Sequence, residues 1–212
     1  MKNATTHRGG RGSVLIISAP SGAGKSTLVK HLLAAVPGLS FSVSFTTRPP
    51  RRGERQGREY FFVSRDRFQR MIAAGEFVEW ADVFGHFYGT SRRQIDAARN
   101  AGKDILLDID VQGHRQVCRA LPEAVSIFVL PPSFRELERR LRHRHSEAPE
   151  VIAKRLHTAR REITHWPEYD YLVVNDDLRA AVRTLKAVVL AARARRAVQA
   201  PRVLKIVKTF GG

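Results

Sequence analysis

Four short apolar runs mark the chain: Val14–Ser18, residues 105–109, Val125–Leu130 and Tyr171–Val174. They are rich in Val, Ile and Leu and too short to be helices. Each therefore predicts a strand buried on both faces. Helical spacing of apolar positions falls between or after them, over residues 27–36, 112–120, 133–142, 150–164 and 177–195. The first of these helices stops at Pro37-Gly38, a pair that terminates helices. Strands alternating with helices predict an α/β fold, a parallel sheet with helices on both faces.

Two segments break the rhythm. Residues 41–90 carry turn-rich, aromatic, alternating stretches at 58–64 and 77–88. They predict a small, mostly β insertion after the first strand–helix unit. Residues 142–150 are polar, poor in core residues and lie between two helical patterns, which predicts a mobile lid. The expected division is therefore a core of residues 13–40, 91–139 and 158–196, an insertion at 41–90 and a lid at 140–157. Residues 1–12 read as a flexible basic arm. Residues 197–212 are a basic C-terminal segment whose alternating Val, Leu and Ile read as a strand, an oligomer contact or a tail.

The segment joining the first strand to the first helix carries chemistry. Ala19-Pro20-Ser21-Gly22-Ala23-Gly24-Lys25-Ser26-Thr27 fits the phosphate-loop pattern G-x-x-x-x-G-K-[ST] except at its first position, where Ala19 replaces glycine. Gly22 and Gly24 let backbone N–H groups turn inward around phosphate oxygens. The helix N-terminus adds partial positive charge. Lys25 is placed to bridge the outer phosphates, and the Ser26 hydroxyl to ligate Mg²⁺. This loop predicts that a nucleotide is held, and no more than that.

A second set of anion ligands follows in Ser44-Phe45-Thr46-Thr47-Arg48-Pro49-Pro50-Arg51-Arg52-Gly53-Glu54. The two prolines prevent a helix and stiffen the loop that presents Arg48 and Arg51. Arginine forks bind phosphate in a bidentate way, fixing its orientation. Tyr60 and Tyr88 add neutral hydroxyl donors. Two phosphate sites in one chain point to a phosphotransferase rather than a hydrolase.

Composition narrows the picture. The chain has 212 residues, 43% of them hydrophobic, enough for one substantial core. Its formal charge is +17, from 37 basic and 20 acidic residues, which suits polyanionic partners. Most basic runs read as solvated helix faces and ends. The single cysteine, Cys118, excludes an intrachain disulfide and reads as a packed, inert thiol. No apolar run is long enough to span a membrane, and the polar first residues do not read as a secretory signal. A cytoplasmic protein is expected.

Taken together, the motifs resemble guanylate kinase, the nucleoside monophosphate kinase family that makes GDP from GMP. The matching pieces are Ser18 to Thr27, Phe41-Ser42-Val43-Ser44, Thr46-Thr47-Arg48, Arg51-x-Gly53-Glu54 and Tyr60-x-Phe62-Val63-Ser64. Further on come Glu76-Phe77-Val78-Glu79-Trp80, Tyr88-Gly89-Thr90, Leu107-Asp108-Ile109-Asp110-x-Gln112-Gly113, Tyr169-Asp170-Tyr171 and Val174-Asn175-Asp176-Asp177. The similarity covers residues 13–190.

The resemblance implies a P-loop nucleoside monophosphate kinase-like parallel sheet with a GMP-binding insertion and a short lid. It implies ATP as phosphoryl donor, Mg²⁺ as cofactor and GMP as acceptor, with dGMP as a second acceptor. By similarity Arg48, Arg51, Tyr60 and Tyr88 bind the GMP phosphate, and Glu54 supports the arginines. Ser44, Glu79, Thr90 and Asp110 surround the guanine. Arg140, Arg144 and Arg155 reach the transferring group from the lid and its flanks, and Asn175 lies near the adenine of ATP. Asp108, an acidic residue ending an apolar strand as in other phosphate-loop proteins, is expected to act on Mg²⁺ through water. No stable nucleic-acid or membrane partner is implied, and a homo-oligomer is compatible with the pattern.

Base chemistry supports the acceptor assignment. Guanine presents N1–H and N2–H donors along one edge, and ionised carboxylates such as Glu79 and Asp110 only accept. Adenine presents an acceptor there instead. A buried polar group left without its partner costs about 1–3 kcal/mol, so two mismatches give discrimination of order ~10³. Two residues depart from the family pattern. Phe45 stands where a small residue is common, and His145 where glycine usually adjoins the lid arginine. His143 and His145 read as exposed lid surface rather than a pH-sensitive pair.

Three other readings compete. A catalytically inactive guanylate-kinase-like protein-binding module would lack Lys25, Arg48 or Arg51, and all three are present. A nucleic-acid-binding P-loop protein would need stacking aromatics along a basic groove, whereas the aromatics here cluster in the insertion. A sugar-phosphate kinase would have no use for Glu79, Asp110 and Ser44.

Overall fold

The structure, a computed structural model, describes residues 11–83, 85–143 and 149–211. The chain opens with β1 (Val14–Ser18), α1 (Lys25–Ala35) and β2 (Leu39–Phe41). It then forms β3 (Phe45–Thr46), β4 (Phe61–Phe62), α2 (Arg65–Ala73), β5 (Phe77–Val83) and β6 (His86–Ser91). Helix α3 (Arg92–Asn100), β7 (Asp104–Asp108), α4 (Val111–Ala120), β8 (Val125–Leu130) and α5 (Phe134–Arg142) follow. The last part holds α6 (Pro149–Glu162), a 3₁₀ turn at Ile163–Glu168, β9 (Tyr171–Val174), α7 (Leu178–Ala194) and α8 (Arg196–Val207).

The main sheet has five strands in the order β2-β7-β1-β8-β9, all parallel. Strand β1 lies at its centre and every one of its residues is buried. Leu15 and Ile17 face one side and pack with Leu28 and Leu32 of α1 and Leu185 and Val189 of α7. Val14 and Ile16 face the other side, with Ile95 of α3 and Val117 of α4. The unbroken apolar run in the sequence is thus a strand with a helical layer on each face.

A second sheet of four short strands, β4-β3-β6-β5, is built from the aromatic segment. Its β5–β6 and β3–β6 pairs are antiparallel and its β3–β4 pair is parallel. Phe68, Met71 and Phe77 form its own small core. Phe45 belongs here. It stacks on Phe61 at 4.8 Å between ring centroids and meets Phe77 edge-on at 5.9 Å, so its bulk fills this aromatic cluster. Val78 of β5 is buried in the core of the main sheet, which ties the two sheets together.

A buried ion pair closes the far end of the main sheet. Asp104, fully buried, accepts from Arg193 Nε at 2.7 Å and from the Ser13 amide at 2.9 Å. Arg193 also donates to the Pro37 carbonyl at 2.8 Å, so α7 is tied to β7 and to the turn after α1.

The C-terminal segment is helical, not a strand. Val203, Val207 and Phe210 recur at intervals of three and four, which is a helical period, and Arg202, Lys205 and Lys208 share the opposite arc. The alternation of apolar and basic residues imitates a strand only over a few positions. No helix among the described residues is long and apolar enough to cross a membrane.

Candidate active site

Parallel register brings the site together. Ile17 of β1 lies opposite Asp108 of β7, so the loop after β1 and the end of β7 emerge side by side at the carboxyl edge of the sheet. Gly22 and Gly24 hold φ angles of 95° and 90°, which residues with a Cβ rarely adopt. A Cβ at Gly24 would also come within 2.5 Å of the Asn175 amide nitrogen. Helix α1 then starts at Lys25 with no side-chain cap on its N-terminus. Its first N–H groups and positive dipole end face the loop, the arrangement that binds phosphate.

A cavity of about 280 Å³ lies beside this loop, lined by Lys25, Ser44, Tyr60, Glu79, Ala81, Val83, Tyr88, Asp108, Ile109 and Asp110. The ammonium of Lys25 is paired with the Asp108 carboxylate. Glu79 and Asp110 line the same cavity. Glu79 is only 5% exposed and accepts the Thr90 hydroxyl at 2.5 Å. Burial pushes its carboxyl up to about 7; the Thr90 hydrogen bond opposes that rise and the charge of Asp110 adds to it. Gly113 makes room for it, because a Cβ there would stand 2.7 Å from Glu79 Oε2. Asp110 is the N-cap of α4, one carboxylate oxygen accepting the Gly113 amide at 2.8 Å. Its position is thereby locked by the helix start.

Arg48 forms the phosphate corner. Its guanidinium donates to both oxygens of Glu54, at 2.8 and 2.9 Å, and to the Tyr88 hydroxyl at 3.2 Å. It also lies 5.4 Å from the centre of the Tyr60 ring. Glu54 is held in turn by the Arg51 amide at 2.7 Å. The hydrogen bond from Arg48 holds the Glu54 carboxyl below its usual range, so it stays ionised. Burial holds the Tyr60 phenol above its usual value, so it stays a neutral donor. The Arg51 side chain is exposed at the rim.

A second hollow, of about 390 Å³, opens on the other side of the loop and is lined by Gly22, Gly24, Thr27, Arg139, Arg140, His143, Asn175, Asp176 and Leu178. Here Arg140 donates to the Ala23 carbonyl at 3.3 Å and to the Asn175 carbonyl at 2.9 Å. The Asn175 amide donates to the same Ala23 carbonyl at 2.8 Å.

The sequence model of the guanylate kinase family matches residues 11–192. The chain belongs to the guanylate kinase family. A guanylate kinase of Koribacter versatilis is 54% identical over 188 residues, spanning 87% of this chain and 81% of the relative. One of Bordetella pertussis is 50% identical over 200 residues, spanning 94% and 93%. The crystal structure of guanylate kinase from Anaplasma phagocytophilum superposes with a TM-score of 0.74 at 35% identity, covering 89% of each chain.

Within this guanylate kinase fold, Lys25, Ser44, Tyr60, Glu79, Tyr88, Asp108 and Asp110 line one cavity, and Arg48 and Glu54 adjoin it through Tyr88. Thr90 is fully buried behind Glu79 and its hydroxyl is engaged there. Ser26 and Thr27 are exposed at the start of α1. Asn175 has its amide turned to the back of the phosphate loop as well as lining the second hollow. Arg155 is half-buried on α6. Arg144 and His145 lie outside the described residues. Sequence reasoning missed Arg139, which lines the second hollow, and Glu162, whose carboxylate accepts the Ser21 amide at 3.3 Å; His143, read as exposed surface, is exposed and lines the same hollow. Arg139 stands one residue before an arginine already singled out. No local pattern announces Glu162, 141 residues from Ser21.

The residues present fit a magnesium ion carried in with a nucleotide. Among the described residues no group of three or more His, Cys, Asp and Glu side chains is placed to hold a metal by itself. Magnesium usually takes one or two protein oxygens and completes its shell with phosphates and water. The Ser26 hydroxyl, exposed at the start of α1, and the Asp108 carboxylate, paired with Lys25, are oxygen ligands of that kind.

Proposed function

We propose that the protein transfers the γ-phosphoryl group of ATP to a phosphate oxygen of GMP, giving ADP and GDP, and accepts dGMP as well. The observation that carries this reading is one cavity lined both by the phosphate-loop lysine, Lys25, and by two carboxylates, Glu79 and Asp110, held by Thr90 and Gly113. The lysine suits the donor phosphates, and the carboxylates suit the donor edge of guanine.

The residues divide the work. The backbone of residues 19–24 and Lys25 hold the β and γ phosphates, and Asn175 braces the adenine side. Ser26 and Asp108 would hold Mg²⁺, which would neutralise phosphate charge there. Arg48 and Arg51, with Tyr60 and Tyr88, fix the GMP phosphate, and Glu54 orients Arg48 for it. Glu79 and Asp110 read guanine, and Ser44 lines the same pocket. Arg140, Arg144 and Arg155 approach the transferring group as the lid closes. A bond from the γ phosphorus to the GMP oxygen forms while the β–γ bridging bond breaks, and the electron pair leaves with ADP. No general base is required, since a phosphate monoester with its second pKa near ~6 is largely a dianion at neutral pH. Catalysis is alignment and charge neutralisation, with water kept out by closure of residues 41–90 and 140–157. A cytoplasmic role in purine nucleotide recycling follows from this reaction.

ADP release coupled to NADH oxidation, with GMP, dGMP, AMP, UMP and CMP offered in turn, tests the reading. Turnover with GMP and dGMP, and little with the others, is expected. If GMP does not stimulate ADP release, the reading fails.

A further inference from the structure

Glu162 is a carboxylate placed against a loop built to hold anions. It is the last residue of α6, and it accepts the backbone N–H of Ser21 in the phosphate loop at 3.3 Å. A negative group so close to a polyphosphate site weakens binding by repulsion, so the contact calls for a compensating use. The other side of the loop is held in the same manner: Asn175 and Arg140 both donate to the Ala23 carbonyl. The Ala23 amide donates to Pro20 at 3.1 Å, which closes the loop on itself. Residues 20–23 are thus gripped from α6 on one side and from α5 and the end of β9 on the other.

Helix α6 also carries Arg155, seven residues before Glu162. Two residues seven apart lie on nearly the same face of a helix. The buried side of α6, Ile152 and Ala159, packs on Leu137 and Leu141 of α5. An arginine meant to reach a transferring phosphoryl group must arrive at one place relative to the phosphate loop. A hydrogen bond from the C-terminal end of its own helix to that loop sets the distance.

We propose that Glu162 is a positioning residue for phosphoryl transfer: it pins the end of α6 to the Ser21 amide, and so fixes where Arg155 of the same helix stands relative to the phosphate loop. This rests on the phosphoryl-transfer reading given above. Burial pushes the Glu162 carboxyl above its usual range, while the Ser21 amide and Lys25 of α1 pull it down. Asp110 at the start of α4 raises it and His165 of the following turn lowers it, so its surroundings are mixed in sign. The hydrogen-bond acceptor, rather than the charge, is what the pin requires.

Glu162→Gln keeps an acceptor oxygen and Glu162→Ala removes it. In the full-length protein, kcat of the Ala variant falls about tenfold or more while KM for GMP stays within about twofold. The Gln variant recovers to within about threefold of wild type. Amide hydrogen exchange in a peptide spanning residues 19–27 is faster in the Ala variant and near wild type in the Gln variant. This second readout does not depend on turnover. Wild type without GMP-dependent turnover would sink the transfer reading alone, and the exchange data would still judge the pin. The proposal is overturned by unchanged exchange in the Ala variant, by equal impairment of both variants, or by a loss confined to thermal stability with kcat per folded molecule intact.

Discussion

Glu79→Gln isolates the charge that reads the base. Glu79 is buried, its Oε1 takes the Thr90 hydroxyl at 2.5 Å and its Oε2 faces Gly113. An ionised carboxylate accepts both donors on the guanine edge. A glutamine offers one acceptor oxygen and sets its own N–H₂ against a donor. Losing a buried hydrogen bond to a charged group costs about 1.5–3 kcal/mol, or roughly 10- to 150-fold in kcat/KM for GMP. The same N–H₂ can donate to adenine N1, so turnover of AMP holds or rises and the preference narrows.

The pH dependence separates charge from shape. With its carboxyl raised from 4.5 to about 7, Glu79 binds a proton in the fold that it releases in the unfolded chain. The stability from that proton is fully present below 4.5 and is lost as pH rises through about 7. GMP needs the ionised form, so KM for GMP rises as pH falls through that value. A carboxyl at about 7 implies a rise of about tenfold between pH 8 and pH 6. The phosphate of GMP titrates near ~6 and contributes equally in both proteins. The coupled assay at saturating ATP over this pH range gives the difference. A loss below about threefold in the variant, or a pH profile unchanged by the substitution, refutes the reasoning.

Three further outcomes are expected. Arg48→Ala leaves the Glu54 carboxylate facing the phosphate site, so kcat/KM for GMP falls by about 10² or more while ATP affinity by fluorescence titration stays within about twofold. Gly113→Ala drives a Cβ against Glu79, so KM for GMP rises by about tenfold and AMP turnover is little affected. Arg193→Met takes the guanidinium from the fully buried Asp104 and lowers stability in urea melts by about 3 kcal/mol, with kcat unchanged for the folded fraction.

Much of the fold was readable because β1, β7 and β8 are continuous apolar runs, and a strand covered on both faces leaves that mark; β9 shares the apolar run but not the burial, since it lies at the sheet edge with Val173 alone of its four residues buried. The acceptor pocket was readable because Arg48, Glu54, Tyr88, Glu79 and Asp110 sit in short, distinctive motifs. The C-terminal helix was obscured because its basic and apolar arcs alternate over short stretches like a two-sided strand. Contacts between distant segments were out of reach. Nothing near Ser21 points to Glu162, nothing near Asp104 points to Arg193, and the grip of Asn175 on the Ala23 carbonyl appears only once β9 lies beside β8. The capping role of Asp110 is local, yet its reading as a base ligand hid it.

The central claim is that two phosphate compounds meet in one site and one phosphoryl group passes between them. Phosphorus NMR of the protein with ATP, Mg²⁺ and GMP follows every phosphate at once. The account predicts ADP and GDP growing in equal amounts, with no inorganic phosphate and no ATP loss when GMP is left out. Inorganic phosphate accumulating in step with ADP, or ATP consumed equally without GMP, would contradict it.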